Sequence, residues 1–359
     1  MTGLYIHIPF CAQKCFYCDF YSLPNKESSM QNYVDALLYE AECYKHLTFD
    51  TVFFGGGTPS LLGTKLFEKL LEGLRSKLLI KSVETTVEVN PESATVEFLQ
   101  TCKSGGVSRI SIGIQSLDDY QLKAVGRIHD KKQALKALEI ALNLGFESVS
   151  ADVIVGLPGQ TWQTLEETLE VLTDSGIKHL SAYGLQLEHE TPLGRNPLKD
   201  TPDDDFQVEL LEQANQLLAS KGFVQYEISN YAKPGFECKH NLIYWRCQEY
   251  VGLGAGASSH LENIRFKNKN DLDAYIANPF GTRFFEENVE GIEKIREKLM
   301  LGLRLLVEGV SVDEQVRKQI PELDELVSTG DLVFNNQKFT IHPSKVYISN
   351  RIFGKVLGL

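Results

Sequence analysis

The sequence lacks any long apolar stretch. No uncharged apolar run approaches the roughly 18 residues that span a bilayer, so a membrane-spanning helix is not expected. Met1 to Pro9 also lack the basic start and long apolar run of a secretory leader, and lead straight into cysteines. No Pro-, Ser- or Gln-rich block suggests a long disordered region. These absences predict a folded protein of the cytoplasm.

Positive charge is also in short supply. Lys and Arg number 36 against 48 Asp and Glu, which gives a formal net charge of -12. A negative field of this size repels nucleic acid backbones rather than gathering them. A nucleic-acid partner is therefore not favoured.

What the sequence does contain is an alternation of strands and helices over about its first half. The predicted strands are Leu4 to Ile8, Thr51 to Phe54, Thr85 to Val89, Arg109 to Ile114, Ser148 to Val155 and His179 to Leu185. Helical patterns lie between them, which requires parallel strands with crossover helices and an α/β fold. About six such units are visible, fewer than the eight of a full TIM barrel, and an open doubly wound sheet would show the same pattern.

The regular alternation of strands and helices ends in the second half of the sequence. An acidic, Pro-containing link covers Asp200 to Asp205, and short strands or turns with many glycines follow a further helix. From about Val289 a helix-rich segment begins. The sequence thus predicts an α/β domain over residues 1–235, a connecting segment over 236–288 and a small helix-rich C-terminal domain over 289–359.

Three of the seven cysteines, Cys11, Cys15 and Cys18, crowd into eight residues with the spacing C-x-x-x-C-x-x-C. Three thiolates on one loop can hold three corners of an iron–sulfur cluster, leaving one iron open for a chelating small molecule. Zinc is the alternative, because His7 could complete a site of three thiolates and one imidazole. Covalent c-type heme attachment is excluded because Asp19, not His, follows Cys18.

This loop, with the aromatic Tyr17 before its last cysteine, resembles the signature of the radical S-adenosylmethionine (SAM) superfamily. The resemblance implies a partial TIM-type (β/α)6 barrel and a 4Fe-4S cluster on Cys11, Cys15 and Cys18. It further implies that the amino and carboxylate groups of SAM chelate the open iron, and that reduction of the cluster cleaves SAM to a 5′-deoxyadenosyl radical.

Further motifs resemble the superfamily in the expected order. The run Gly55-Gly56-Gly57-Thr58-Pro59 is similar to the turn that binds the methionine amino group, and glycine lets backbone carbonyls approach a ligand closely. By this resemblance we predict the following residues to bind SAM: Tyr5, Tyr17, Gly56, Gly57, Thr58, Glu88, Gln115, Arg127 and Asp152.

Within the superfamily, Tyr5-Ile6-His7-Ile8-Pro9-Phe10-Cys11 resembles the oxygen-independent coproporphyrinogen III oxidase-like group, to which HemN belongs, and the likeness extends into the C-terminal domain. The true dehydrogenases of this group have a further cysteine two residues after the third and a longer N-terminal segment. Here Phe20 occupies that position, and the cluster motif begins at residue 11. Both differences favour the other branch of the group, the HemW heme chaperones.

The run His240-Asn241-Leu242-Ile243-Tyr244-Trp245 is similar to the H-N-x-x-Y-W motif of that branch. The resemblance implies heme binding, with His240 as axial ligand and Tyr244 and Trp245 as an apolar wall. Cys238 and Cys247 flank the motif, and either could offer a thiolate instead. A hydrogen-bonded histidine at a turn is the alternative role for His240.

The resemblance implies a heme chaperone that binds a 4Fe-4S cluster, SAM and heme and delivers heme to acceptor hemoproteins, with membrane-associated respiratory enzymes as candidate acceptors. No catalytic residue is assigned, and both SAM cleavage in function and a homodimer stay open. One alternative is a radical SAM coproporphyrinogen III dehydrogenase, which oxidatively decarboxylates propionate side chains in heme biosynthesis. The other is a zinc-stabilised barrel that binds a partner without radical chemistry.

Overall fold

The computed structural model describes the backbone of residues 1–359 and the side chains of all positions except 285 and 286. The strands are β1 (Gly3–Ile8), β2 (Phe10–Cys11), β3 (Leu23–Pro24), β4 (Thr48–Gly56), β5 (Leu79–Val89), β6 (Arg109–Gln115), β7 (Ser148–Val155), β8 (His179–Gly184), β9 (Val224–Glu227), β10 (Asn230–Ala232), β11 (Tyr250–Leu253), β12 (Ser258–Leu261), β13 (Ile264–Asn268), β14 (Arg283–Asn288), β15 (Val310–Ser311), β16 (Leu332–Asn335) and β17 (Lys338–Ile341).

The helices are α1 (Met30–Ala41), α2 (Gly63–Lys77), α3 (Val96–Ser104), α4 (Asp119–Ala124), α5 (Lys131–Asn143), α6 (Trp162–Asp174), α7 (Pro192–Arg195), α8 (Asp204–Ser220), α9 (Lys239–Trp245), α10 (Leu272–Ala277), α11 (Gly291–Leu303), α12 (Glu314–Gln319), α13 (Glu322–Ser328) and α14 (Ser349–Leu357). Among the described residues, none of these helices combines the length and apolar character that crossing a membrane requires.

One large sheet dominates the fold, with the strand order β14-β13-β12-β11-β1-β4-β5-β6-β7-β8-β10-β9. The strands from β11 through β8 in this order run parallel. All six predicted strands lie in this parallel part, which confirms the α/β prediction. β6 shows why such strands read as unbroken apolar runs: every residue from Arg109 to Ile114 is buried, because helices cover parallel sheets on their faces.

Local sequence signals fix where the crossover helices begin. Asp130 and Gln133 form a capping box at the start of α5, and Thr161 and Thr164 do the same for α6. Such caps satisfy backbone N–H groups that have no partner within the helix. Helices α5 and α6 therefore begin directly after these capping residues, at Lys131 and Trp162.

The segment 236–288 is more than the connection that the sequence predicts. It adds β11 parallel to β1, with Gly3 opposite Tyr250, and then β12, β13 and β14 antiparallel along the edge. Val251, Leu253 and Tyr275 are part of the main hydrophobic core. These strands are short, and the pairing of β11 with the first strand of the chain is a tertiary event that local patterning does not reveal.

The C-terminal segment has a core of its own. Residues that include Leu303, Leu323, Phe339 and Phe353 pack together, separate from the main core. Helices α11 to α14 surround a three-stranded sheet in the order β15-β17-β16. The C-terminal region is thus helix-rich, as the sequence predicts, and β16 and β17 form an antiparallel hairpin within it.

Candidate functional site

The carboxyl ends of the parallel strands open onto a cavity of about 490 Å³, called here the main cavity. Side chains at this edge come from many different strands, which is how parallel α/β folds assemble their sites. Most of the predicted site residues line it: Cys11, Cys15, Tyr17, Cys18, Gly56, Gly57, Thr58, Glu88, Gln115, Arg127 and Asp152. Tyr5 and His240 are not on its wall.

The cysteine loop is held in place through its backbone. The N–H of Phe16 donates to the carbonyl of Val125 at 3.0 Å, and the carbonyl of Phe16 accepts from the N–H of Leu193 at 2.9 Å. Tyr17 packs against a small separate core that includes Val125 and Leu193. The loop is thereby tied to the ends of distant elements and kept at the cavity mouth.

The three thiols share the wall of the main cavity and are half-buried. Burial raises the pKa of the Cys11 thiol, and it raises the pKa of the Cys18 thiol to about 11. Among the described residues, no three Cys, His, Asp or Glu side chains are gathered into a ready-made metal site. A thiol-only donor set on one loop fits an iron–sulfur cluster, whose binding releases the thiol protons. The cluster ligands remain a prediction.

A hydrogen-bonded chain of side chains joins two of the thiols. Thr58 Oγ1 donates to Cys11 Sγ at 3.7 Å and accepts from Asn90 Nδ2 at 2.9 Å. Arg127 then donates to Asn90 Oδ1 at 2.9 Å and to Cys15 Sγ at 3.7 Å. Asn90 is a residue that motif matching missed; the available signal was its position two residues after Glu88 at the end of the same strand.

The glycine turn is required by the protein atoms around it. Gly56 has a φ of +108°, and a Cβ there would lie 2.5 Å from the ring of His7. A Cβ on Gly57 would lie 2.6 Å from the carbonyl oxygen of Phe10, and the N–H of Gly57 donates to the carbonyl of Ile8 at 2.8 Å. Glycine is therefore needed for the close approach of this turn to the segment that leads into Cys11.

Two partly buried carboxyl groups, those of Glu88 and Asp152, line the main cavity. Burial, together with the negative charge of Asp152, raises the pKa of Glu88 to about 8, although the Gly56 N–H donates to Glu88. Burial also raises the pKa of Asp152, against hydrogen bonds from Ser181 and Ser111 and the nearby arginine charges. A cation placed between the two carboxyl groups would therefore stabilise the ionised form of each.

Gln115 has a strained backbone at the cavity wall. Its φ is +64°, a conformation rare for residues other than glycine, and the pairing of β6 with β7 shifts register between Gly113 and Gln115. Strained backbone of this kind is concentrated at functional sites, where it directs side chains. The bulge turns Gln115 into the main cavity.

His7 and Tyr5, both on β1, are hydrogen-bonded to each other. His7 Nε2 donates to the carbonyl of Tyr21 at 2.8 Å, and its Nδ1 accepts from the hydroxyl of Tyr5 at 3.0 Å. With both ring nitrogens engaged, His7 cannot complete a zinc site, so the zinc alternative loses its fourth ligand. Tyr5 lines an inner cavity of about 170 Å³ that shares Glu88 and Asp152 with the main cavity, and its SAM contact stays a prediction.

The axial-ligand role predicted for His240 does not fit its surroundings. The residue is 1% exposed, its Nδ1 bonds with the Thr51 hydroxyl, and its Nε2 bonds with the Tyr244 hydroxyl, both at 2.8 Å. Its ring also stacks on Phe53, and burial lowers its pKa to about 3. No nitrogen is left for iron, because His240 is a satisfied core histidine.

The other residues near the motif that were considered for heme also have surroundings that do not fit the predicted role. Cys238 is buried, and burial together with the Glu84 charge raises its pKa to about 12, which disfavours a thiolate. Cys247 is half-buried, and burial raises its pKa as well. The ring of Trp245 lies under the guanidinium of Arg304, the residue after α11, at 4.3 Å. Trp245 therefore packs toward the C-terminal region and does not share the cavity wall that Tyr244 lines.

Comparison with known proteins supports the fold and finds similar sequences over nearly the whole chain. The family model of the radical SAM superfamily matches residues 5–172. The chain is similar to the protein named heme chaperone HemW of Lactococcus lactis subsp. lactis (strain IL1403), with 33% identity over 99% of this chain and 97% of that protein. The HemW proteins of Escherichia coli (strain K12) and Bacillus subtilis (strain 168) are 38% and 34% identical over 92% and 100% of this chain, and over 91% and 100% of their own lengths.

Among solved structures, the chain is similar to HemN of Escherichia coli, described as coproporphyrinogen III oxidase and a radical SAM enzyme. The TM-score is 0.85 over 99% of this chain and 89% of that one, at 19% sequence identity. At this identity the likeness establishes the fold. It confirms the partial radical SAM barrel followed by a C-terminal domain.

Proposed function

This chain belongs to the HemW family of the radical SAM superfamily, and from that membership we propose that it is a heme chaperone. In this proposal it binds a 4Fe-4S cluster, SAM and heme, and it delivers heme to acceptor hemoproteins. The observation that carries the proposal is the full-length match: relatives named heme chaperone align over 99% and 100% of the chain, through the sheet edge and the C-terminal domain.

The main cavity supports the cofactor part of the proposal. Cys11, Cys15 and Cys18 would hold the cluster, which when bound supplies an open iron site and an electron for SAM. The carboxyl groups of Glu88 and Asp152 would face a cationic group of the ligand, because each has a raised pKa that a nearby positive charge would lower.

The surroundings of Phe20 favour a chaperone over a dehydrogenase. Phe20 stands where the dehydrogenases of this group carry a further cysteine, and its side chain is 63% exposed beside the main cavity. An apolar ring offers no ligand or proton for chemistry on a porphyrinogen. It offers contact area for a flat apolar molecule.

Hemoproteins, including membrane-associated respiratory enzymes, are the acceptors in this proposal, and the cytoplasm is the compartment. A homodimer is the proposed assembly. Light scattering of the reconstituted protein tests the assembly directly, since one chain has a mass of 40.3 kDa and a dimer has twice that mass.

The proposal is tested with protein reconstituted under anaerobic conditions. We expect acid-labile sulfide and iron, a change at the Soret band on heme titration, and transfer of the bound heme to an added apo-hemoprotein. With SAM and reductant we expect no decarboxylation of coproporphyrinogen III. Stoichiometric formation of protoporphyrinogen would restore the dehydrogenase interpretation. An absence of labile sulfide would show that the predicted cluster is not present.

A further inference from the structure

A second opening lies beside the main cavity, between the cysteine loop and strands β11 to β13. This side cavity has a volume of about 380 Å³. Its wall contains five aromatic side chains: Tyr5, Phe20, Tyr21, Tyr244 and Tyr250. Asp19 and Phe20 border both openings, so a molecule in the side cavity would lie next to the cysteine loop.

The aromatic lining comes from four separate parts of the chain. Tyr5 belongs to β1, Phe20 and Tyr21 follow the last cysteine of the loop, Tyr244 belongs to the H-N-x-x-Y-W helix α9, and Tyr250 begins β11. The Tyr244 hydroxyl bonds with Nε2 of His240, and the Tyr244 side chain also lines the cavity. The motif therefore contributes to this wall through its tyrosine, while its histidine is occupied in the core.

Phe20 is the most exposed of these five rings. A phenyl ring that is 63% exposed loses contact with water when a flat apolar molecule covers it, and such burial is favourable. Gly256 lies at the same wall, where a Cβ would come within 3.2 Å of the Tyr21 ring and 2.8 Å of Asn270 Oδ1. Glycine at this position therefore lets the Gly256 turn pack closely against Tyr21 and Asn270.

One cation faces this aromatic wall. Lys267 of β13 is half-buried in the side cavity and lies close enough to His7 to help lower the pKa of that imidazole, after the larger effect of burial. Among the described side chains, no carboxylate lies within ion-pair distance of its amino group. An ammonium that is half-buried and has no counter-ion among the described side chains can pair with the carboxylate of a ligand at little additional desolvation cost.

A large conjugated ring that carries carboxylates matches both features of this wall. The geometry points to heme bound in the side cavity, with the ring against Phe20 and Tyr244 and a propionate paired with Lys267. The inference rests on the proposed heme-chaperone function and adds the location and the recognition of the ligand. Heme would lie beside the cysteine loop rather than on His240.

The test is a heme titration of the reconstituted full chain and of Lys267→Glu, followed at the Soret band. Reversing the charge at the propionate contact is expected to weaken heme binding about tenfold or more. The dimethyl ester of heme, which has no free carboxylate, should bind the wild type and Lys267→Glu with equal affinity. Lys132→Glu is the matched control, because Lys132 is exposed on α5, outside the lining of the side cavity, and should bind heme as the wild type does.

A second variant checks the apolar contact. Phe20→Ser should weaken heme and its ester alike, by about three- to tenfold, with iron and sulfide content unchanged. Tyr39→Ser, on the exposed part of α1, is its control. If the wild type binds heme and both Lys267→Glu and Phe20→Ser bind it equally well, the location is wrong and the chaperone function stands. If Lys267→Glu loses heme and ester in equal measure, the propionate contact is wrong. If the wild type binds no heme, the function and the location both fail.

Discussion

The Nδ1 atom of His240 lies 2.8 Å from the Oγ1 atom of Thr51, so the first residue of the H-N-x-x-Y-W motif is bonded to strand β4 inside the sheet core. The backbone N–H of His240 also donates to Glu84 of β5 at 3.0 Å. At the other end of α9, Arg246 pairs with Glu308 near the C-terminal domain, at 2.6 Å. Helix α9 thus joins the barrel to the C-terminal domain, and its histidine is the anchor at the barrel end.

The first prediction concerns this anchor. His240→Ala removes a buried ring and two hydrogen bonds, so the free energy of unfolding should fall by about 2–4 kcal/mol, measured by urea denaturation. The Soret maximum of bound heme should stay unchanged, since iron is not ligated by this residue. The exposed His46 provides the control, and His46→Ala should change stability by less than about 0.5 kcal/mol. A fully stable His240→Ala with an altered heme spectrum would restore the axial-ligand role.

The second prediction concerns the cluster ligands. Cys11→Ala, Cys15→Ala or Cys18→Ala should abolish stable cluster assembly, because two thiolates do not hold a cubane on this loop. Iron and labile sulfide in reconstituted protein give the readout. Cys43 is exposed and away from the main cavity, and Cys43→Ala should retain both at the wild-type level. Loss of the cluster in Cys43→Ala, with retention in Cys18→Ala, would contradict the assignment.

The third prediction concerns pH. Glu88 has a pKa near 8 in the folded chain and near 4.5 when unfolded, so between these values the folded state holds the extra proton. The wild type should therefore lose stability as pH rises through this window. Glu88→Gln removes this loss, so its stability relative to the wild type should rise by at least about 1 kcal/mol between pH 5 and 8 in cofactor-free protein. If the free energies of unfolding of the two proteins change with pH in the same way, Glu88 is already ionised throughout this window and the prediction is wrong.

The fourth prediction tests the glycine turn. Gly57→Ala puts a Cβ against the carbonyl oxygens of Phe10 and Ile8, so we expect a stability loss of about 1–3 kcal/mol and a lower iron content, because Phe10 precedes Cys11. Gly354 gives the matched control: it lies in α14, where an added Cβ would meet no atom within 4 Å, and Gly354→Ala should be neutral or stabilising. Equal iron content in both variants would limit the turn to a role in SAM contact.

Local chemistry determined much of this protein from the sequence alone. The alternation of β-branched runs with helical patterns predicted the parallel strands, because strand and helix periodicity are read residue by residue. The cysteine spacing and the glycine turn identified one edge of the sheet, and the structure brings Cys11, Gly56, Glu88, Arg127 and Asp152 to one cavity there. Residues that follow successive parallel strands must meet at that edge, so order along the chain was sufficient.

Tertiary structure alone decided what the remaining residues do. His7 and His240 have side chains that could ligate a metal, yet each has both nitrogens engaged by partners that include residues far away in the sequence, such as Tyr21 and Thr51. The pairing of β11 with β1, across almost 250 residues, placed Tyr250 and Lys267 beside the cysteine loop and created the side cavity. A sequence motif gives the type of donor, whereas burial and hydrogen-bond partners, which depend on long-range packing, decide whether that donor is free to bind.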